Sequence, residues 1–305
     1  VSLLAITGAT GFVGSAVLAE ALAQGHAVRA LARRDQPALE GVTWVRGDLG
    51  DAGALAALVQ GADAVIHVAG LTNTPDPAQF DVANVTGTAN VLAAMKGAGV
   101  KRLVFVSSLS ARQPELSVYG ASKARAEALV EASGLDWTTV RPPAVYGPRD
   151  IDMLDLFRAA KWGVVPLPPG GATSIIHADD LAALLVALAA GNAAPTRRKV
   201  YEPDDGREGG WSHKELAAAI GRAMGRGRVA APHLPRGVLE AAARADRRLR
   251  GDKAKLTADR VGYMCHPNWV ARFDRKPPPG LWQPRIPGEE GLKATADWYR
   301  REGWV

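Results

Sequence analysis

The chain has 305 residues, about twice the length of a typical domain, and its 47% hydrophobic and 22% charged residues exclude a wholly disordered polymer. One cysteine, Cys265, excludes an intramolecular disulfide framework and a multi-cysteine zinc site, and a lone buried thiol in a reducing compartment is expected. The net charge of +6 is unevenly placed: residues 221–260 hold 11 Lys/Arg against 4 Asp/Glu, which leaves the rest nearly neutral. A solvated helix face accounts for that segment better than a nucleic-acid surface, because no aromatic interleaving or nucleic-acid motif accompanies it.

In chain order, the apolar runs Leu3–Thr7, Ala27–Ala32, Thr43–Arg46, Ala64–Val68, Arg102–Ser107 and Thr138–Arg141 predict strands. Several are too continuously apolar for a half-exposed strand, so they read as covered on both faces. Helices are predicted between them: from Gly14 to Gly25, from Asp51 to Gly61, and over Val85–Lys96 up to Gly97. This alternation predicts an α/β fold, a doubly wound parallel sheet of Rossmann-like type. After residue 200 the pattern changes. Five tryptophans, a proline cluster at Pro277–Pro279, and helical stretches Lys214–Met224 and Gly237–Arg250 predict a smaller, mostly helical cap. The expected division is 1–200 for the nucleotide domain and 201–305 for the substrate-binding cap, with residues 150–175 contributing to the substrate side. The longest apolar run, Leu181–Ala190, has 10 residues, about half of the ~20 needed to cross a bilayer. No basic leader precedes the first strand, so a cytoplasmic protein without a membrane partner is expected.

The first strand runs into Thr7-Gly8-Ala9-Thr10-Gly11-Phe12-Val13-Gly14 and then an Ala/Leu helix. Gly8 allows a sharp turn, Gly11 allows backbone to approach a pyrophosphate, and Gly14 allows close helix–sheet packing. The helix amides then face the phosphates, so Gly8, Thr10, Gly11, Phe12, Val13 and Gly14 are candidate dinucleotide ligands. The second strand ends in Arg33-Arg34 where an acid would favour a free ribose 2′-hydroxyl. Two guanidinium groups suit a 2′-phosphate, which predicts NADP(H), with NAD as the alternative.

Tyr119 and Lys123 are four residues apart on a predicted helix, hence on one face. A free phenol is too weak an acid for proton exchange at neutral pH, and a nearby ammonium is expected to lower its pKa. Upstream, the strand Leu103–Val106 ends in Ser107-Ser108, where a hydroxyl can bind a substrate oxygen. With Asp48-Leu49, His67-Val68-Ala69-Gly70, Asn84 with Gly87-Thr88, Arg141-Pro142-Pro143-Ala144-Val145-Tyr146-Gly147-Pro148 and Ile176–Asp180 in that order, most of the chain resembles the extended short-chain dehydrogenase/reductases, the epimerase/dehydratase branch.

The resemblance implies that Ser108, Tyr119 and Lys123 are catalytic. Tyr119 would exchange the proton, Lys123 would hold the nicotinamide ribose, and Ser108 would polarise the carbonyl. It also implies that Asp48 meets the adenine with Leu49 beside it, that Ala69 and Gly70 line the cofactor, and that Pro142 and Val145 lie near the nicotinamide. Asn84 resembles a position that shapes its helix and supports a proton relay. His67 is expected as a satisfied strand-end histidine, and Asp179-Asp180 as a helix N-cap and first-turn acid. The substrate pocket is expected along Leu71–Thr74, Leu109–Gln113 and Ala144–Arg149, with Leu71, Leu109, Ala144 and Arg149 as candidate contacts and no metal. Leu109-Ser110 stands where dehydratases of the family carry Asp-Glu, and Ala144 where many epimerases carry Asn. The resemblance therefore implies an NADP(H)-dependent oxidoreductase acting on a small carbonyl or alcohol. The alternatives are a nucleotide-sugar epimerase with transient cofactor reduction and a non-catalytic cofactor-sensing protein. Relatives of this kind pair two helices into a homodimer, here those around Val85–Lys96 and Tyr119–Val130.

Overall fold

Segments too apolar to face water on either side become the interior of one parallel sheet. The computed structural model describes residues 1–192 and 194–305. Six strands, β1 (Leu3–Thr7), β2 (Ala27–Ala32), β3 (Val42–Arg46), β4 (Ala64–His67), β5 (Arg102–Val106) and β6 (Asp136–Val140), lie where the apolar runs predict, the first two with the predicted ends and the others with ends shifted by one or two residues. Three short strands follow: β7 (Ala144–Tyr146), β8 (Ala172–Thr173) and β9 (Ile175–His177). The next, β10 (Lys199–Tyr201), adds a seventh strand to the sheet that the sequence reading does not contain. The order is β10-β6-β5-β4-β1-β2-β3, and every pair is parallel. The chain reverses its direction of travel between β1 and β4. A crevice opens there beyond the carboxyl ends of the strands, the position where such sheets hold ligands.

Helices cover both faces. On one side α1 (Phe12–Ala23) packs with the apolar run Leu181–Ala190, which forms most of a nearly all-buried helix, Ala178–Ala190. Val17, Leu18, Leu181, Leu184 and Leu185 lie over Leu4 and Ile6. Truncating a leucine such as the fully buried Leu185 to alanine costs about 2–5 kcal/mol. On the other side, α2 (Ala52–Val59) and two further helices bury Leu55, Leu58, Val91, Met95, Ala126 and Val130 against Val65 and Phe105. One of these is longer than predicted. It starts as α3 (Ala78–Phe80), passes through a π-helical stretch at Asp81–Thr86, and continues as α4 (Gly87–Gly97). The other is α5 (Val118–Glu131).

A second core lies beyond the sheet. The helix order continues with α6 (Leu154–Lys161), α7 (Ala178–Ala190, the helix packed with α1), α8 (His213–Ala223), α9 (Arg236–Arg250), α10 (Ala258–Met264) and α11 (Gly288–Arg301). Phe157 of α6, Leu216 and Ile220 of α8, and Leu292 and Tyr299 of α11 pack around Tyr146 and Trp211. Three-stranded pairing of β8 with β11 (Trp211–Ser212) and β12 (Asn268–Trp269) links the same segments. Residues 153–167 thus share their core with residues after 210. Two local expectations need correction. His177, not Asp179, caps α7 by accepting the Asp179 amide at 3.2 Å, while Asp180 turns inward to accept the amides of Arg285 and Ile286. Cys265 is half-buried at the edge of a small cluster with Leu239 and Val261, rather than fully enclosed.

Candidate active site

The glycine-rich turn has the geometry that a phosphate cradle needs. Gly8 has φ +74°, and a Cβ there would lie 2.7 Å from the Ala69 amide nitrogen. A Cβ on Gly14 would lie 1.9 Å from the Gly8 carbonyl oxygen, so only glycine lets α1 start this close to β1. Gly11 is the N-cap of α1, with no side-chain cap and no acid in the first turn. The positive end of the helix is thereby left to an external anion. A cleft of about 490 Å³ opens beside the turn, lined by Thr10, Phe12, Arg149, Ile151, Trp298 and Trp304 among others. Arg149 was expected on the substrate side. Its guanidinium reaches Ser15 of α1 at 3.3 Å, on the phosphate side of the site, and its backbone has the left-handed φ of +74°. Such a conformation costs a non-glycine residue about 1–3 kcal/mol and concentrates at functional sites.

The loop after β4 is held by polar contacts. Thr7 Oγ1 accepts from the Ala69 amide at 3.1 Å and meets His67 Nδ1 at 2.7 Å, and His67 Nε2 meets Thr88 Oγ1 at 3.1 Å. Burial, helped by the Lys123 charge, pulls His67 down to about 3, so the ring is neutral and both nitrogens are occupied. Asn84, inside the π-helical stretch, accepts from the Leu71 amide at 2.7 Å and donates to the Leu71 carbonyl at 3.0 Å and to Ser122 Oγ at 2.9 Å. π-bulges recur at functional positions, and this one turns Asn84 onto the loop that carries Ala69, Gly70 and Leu71. A Cβ on Gly70 would sit 2.9 Å from Asn84 Oδ1 and 3.7 Å from Lys123 Nζ, so these three residues meet at one point.

Tyr119 and Lys123 lie on the buried face of α5, at 8% and 5% exposure. The Ser108 side chain acts on the Tyr119 phenol in the sense of a hydrogen bond that favours its ionised form. Burial outweighs this and pushes the phenol above its ordinary value, with Tyr263 and Asp152 adding to the rise. Here the structure corrects the expected electrostatics: burial has the largest effect on the phenol, and its direction is upward rather than downward. Lys123 Nζ donates to the Val106 carbonyl at 2.7 Å and lies 4.7 Å from the Phe105 ring centroid. Burial lowers Lys123 to about 8, against a raising effect from Glu127. Tyr119 is therefore held as a neutral phenol, beside a hydroxyl and on the same helix face as a partly desolvated ammonium.

The remaining candidates divide by place. Arg33 and Arg34 are exposed just beyond β2 and make no ion pair among the described residues, while Asp35 is paired with Arg46 at 3.3 Å. Asp48 accepts the Gly50 amide at 2.8 Å, and Leu49 packs so closely on Gly87 that a Cβ there would lie 2.7 Å from it. The Pro142 carbonyl accepts the Leu109 amide at 3.1 Å, joining the two loops beyond β5 and β6. Val145 is half-buried, and Ala144 is exposed in β7. Ser107 Oγ is buried without a hydrogen-bond partner among the described residues, next in the chain to Ser108, and is a polar position that a ligand could satisfy. The uncapped helix end, the glycine cradle and this hydroxyl fit a dinucleotide.

Several residues that the sequence reading missed come from the cap. Asp259 reaches across to α5 and accepts the amides of Val118 and Tyr119 at 2.5 and 3.3 Å, while Ser117 Oγ accepts the Gly120 amide at 2.9 Å. Tyr263 of α10 faces Tyr119 at 6.1 Å between ring centroids, and Phe80 faces it at 5.7 Å. Arg260 pairs with Asp152 at 3.1 Å beside this aromatic group. Asn73, on the predicted substrate loop, donates to the Lys255 carbonyl at 3.2 Å. The sequence signal for Asp259 was only local, since Thr257-Ala-Asp reads as the start of its own helix.

Comparison with known proteins agrees with this geometry. The family described as NAD(P)H-binding matches residues 8–191, more than half of the chain. The ceramide reductase of Caulobacter vibrioides is 37% identical over 99% of this chain and 96% of its own length. The 2-alkyl-3-oxoalkanoate reductase of Stenotrophomonas maltophilia is 31% identical over 94% of this chain and 96% of its own. The structure of Thermus thermophilus UDP-glucose 4-epimerase in complex with NAD superposes with a TM-score of 0.68 at 21% identity, covering 98% of this chain and 99% of that one. That last likeness shows the fold.

Proposed function

The chain belongs to the NAD(P)H-binding extended short-chain dehydrogenase/reductases, as an NAD(P)-dependent oxidoreductase or epimerase, and from that premise we propose that it is an NADPH-dependent reductase of a ketone on an aliphatic chain. One observation carries the proton-transfer role: Tyr119 is a buried phenol with the Ser108 side chain acting on it, and burial raises it above its ordinary value. A phenol whose proton is retained well above neutral pH suits an acid that gives it up only to a stronger base. The alkoxide developing on a reduced carbonyl is such a base.

When bound, the nicotinamide supplies hydride to the carbonyl carbon. Ser108 Oγ and the Tyr119 hydroxyl bind the carbonyl oxygen, and the Tyr119 proton passes to that oxygen as the alcohol forms. Lys123, anchored on the Val106 carbonyl, places positive charge by Gly70 and Asn84, where the ribose would lie. Asn84 and Asp259 fix the two sides of the site, one through the Leu71 loop and one through the first amides of α5. The free guanidinium groups of Arg33 and Arg34 support the 2′-phosphorylated cofactor.

The substrate class follows from two sources. The two reductase relatives matched along nearly the whole chain are named for a ceramide and for a 2-alkyl-3-oxoalkanoate, while two matched over about half of it are named for a farnesyl dihydroquinoline oxide and a dihydroflavonol. On this chain, two aromatic rings, Phe80 and Tyr263, flank the Tyr119 ring, with the Asp152–Arg260 pair beside them. Leu109-Ser110 and Ala144 supply neither the paired acids nor the amide that a nucleotide sugar would use.

The test is consumption of NADPH, followed by absorbance, with a panel of 3-oxoacyl amides and 3-oxo acids, and with NADH in parallel. Tyr119→Phe is expected to lower turnover by about 10²–10⁴ while NADPH still binds. Near-normal turnover by that variant would remove Tyr119 from its role. Interconversion of UDP-sugars without net cofactor consumption would replace the reductase reading by the epimerase one.

A further inference from the structure

The basic segment 221–260 takes part in the site only through Asp259, Arg260 and their neighbours, and its longest helix has an unused face. Helix α9 packs inward mainly through Leu239 and Ala243, against Val261 and the partly buried Leu234, Leu256 and Cys265. Val238, Ala242, Ala245 and Leu249 recur at the i, i+4, i+7 and i+11 spacing of one helical stripe. All four are exposed, Val238 at 49% and Leu249 at 85%. On the flank away from Leu239 stand Arg244 and Arg248, also exposed and without a carboxylate partner among the described residues. Arg247, one turn after Ala243, turns toward the body of the protein and donates to the Pro75 carbonyl at 2.6 Å. Arg236 and Arg250, by contrast, are paired with Glu240 and Asp246.

The same character continues past the start of the helix. Val164 bridges Ala230 and Leu167 bridges His233, which lays segment 164–167 along the strand-like lead into α9. That neighbouring segment carries Trp162 at 82% exposure and Val164 at 43%, and the exposed Arg226 donates to the Lys161 carbonyl beside them. One exposed leucine needs no explanation, because folded surfaces hold many. An apolar stripe with a one-sided arginine flank is different: it is the pattern of a helix lying at a lipid–water boundary.

We propose that α9 docks the protein onto a membrane surface carrying anionic phospholipid headgroups. The choice of occupant rests on charge complementarity: unpaired guanidinium groups beside apolar side chains match phosphate groups above acyl chains. Its purpose rests on the aliphatic-substrate reading above, whereas its geometry does not. Helix α9 lies on α10, whose Tyr263 faces Tyr119, and a hollow of about 90 Å³ lined by Pro75, Ala243, Arg247 and Thr257 opens between α9 and the loop after β4. Docking there brings the bilayer to the cap side of the site. This departs from the expectation of no membrane partner, which rested on the length of apolar runs and the lack of a basic leader, neither of which bears on a helix lying at a surface.

Flotation of the purified full chain with vesicles free of substrate tests the proposal. The protein is expected to float with phosphatidylcholine/phosphatidylglycerol vesicles and not with phosphatidylcholine alone. Binding is expected to fall as salt rises from about 0.1 M to about 1 M, where the screening length shrinks from about 10 Å to about 3 Å. Leu249→Glu, and separately Arg244→Glu with Arg248→Glu, are expected to lower the bound fraction by about five-fold or more, with NADPH binding unchanged. Wild-type protein that stays unbound at low salt, or Leu249→Glu protein that floats as well as wild type, overturns the proposal. So does a Leu249→Glu change from dimer to monomer in light scattering without vesicle binding, which assigns the stripe to a second copy of the chain. Turnover of a water-soluble ketone without flotation refutes docking alone, and flotation without turnover of any ketone refutes the reductase reading alone.

Discussion

Replacing Lys123 by methionine separates what the buried ammonium costs the fold from what it does in the site. Lys123 is 5% exposed, and burial lowers it from 10.5 to about 8. At about 1.4 kcal/mol per pH unit, that difference means the charged form destabilises the native state by about 3 kcal/mol. Methionine of similar length removes the charge but leaves the Val106 carbonyl without the ammonium donor, a loss of about 1–3 kcal/mol. Near neutral pH the variant should therefore be at least as stable as wild type. The pH dependence is the sharper readout. Between pH 8 and 10.5 the unfolded chain still binds the Lys123 proton while the folded chain has released it, so wild-type stability rises with pH across that window. Below it both states are charged and the full penalty applies; above it both are neutral and the penalty disappears. The advantage of Lys123→Met over wild type should shrink by about 3 kcal/mol from below pH 8 to above pH 10.5, because every other titration is common to both proteins. Urea denaturation at the two ends of this range measures it. Turnover should fall by about 10²-fold or more at either end. A stability difference that does not change with pH would refute the assignment of Lys123 as a desolvated ammonium.

Three further outcomes follow from the same geometry. Arg33→Ala is expected to weaken NADPH binding by about 10- to 100-fold, the worth of one charge-assisted contact of about 1.5–3 kcal/mol, with NADH binding unchanged; equal losses for both cofactors in titration calorimetry would reject the 2′-phosphate role. Gly14→Ala places a Cβ 1.9 Å from the Gly8 carbonyl, so a clear fall in melting temperature and loss of cofactor binding are expected, and a wild-type melting curve would show that the turn can relax. Asp259→Ala removes the acceptor of the Val118 and Tyr119 amides and should cost about 0.5–2 kcal/mol, together with turnover, while Asp259→Asn retains part of both; an Ala variant with full activity would uncouple the cap from α5.

Much of the nucleotide half was legible in local sequence, because its causes are local. Strands buried on both faces must be apolar throughout, so β1, β4 and β5 announce themselves. A turn that puts a helix start against a strand needs glycine at Gly8 and Gly14, and a spacing of four places Tyr119 and Lys123 on one face. What the tertiary structure decided has no local period. Strand β10 exists because Lys199–Tyr201 finds the free edge of β6, and three residues of that composition predict nothing by themselves. The π-helical stretch is held where Asn84 meets Leu71 and Ser122, and Asp259 serves a helix that begins 141 positions earlier in the chain. The acidity of Tyr119 also reversed between the two levels. Spacing placed an ammonium on its helix face, but burial and the neighbouring Tyr263 and Asp152 govern the phenol, and only folding brings those groups together. Periodicity specifies which face of an element is apolar; which apolar face is covered, and by what, depends on contacts between segments distant in sequence.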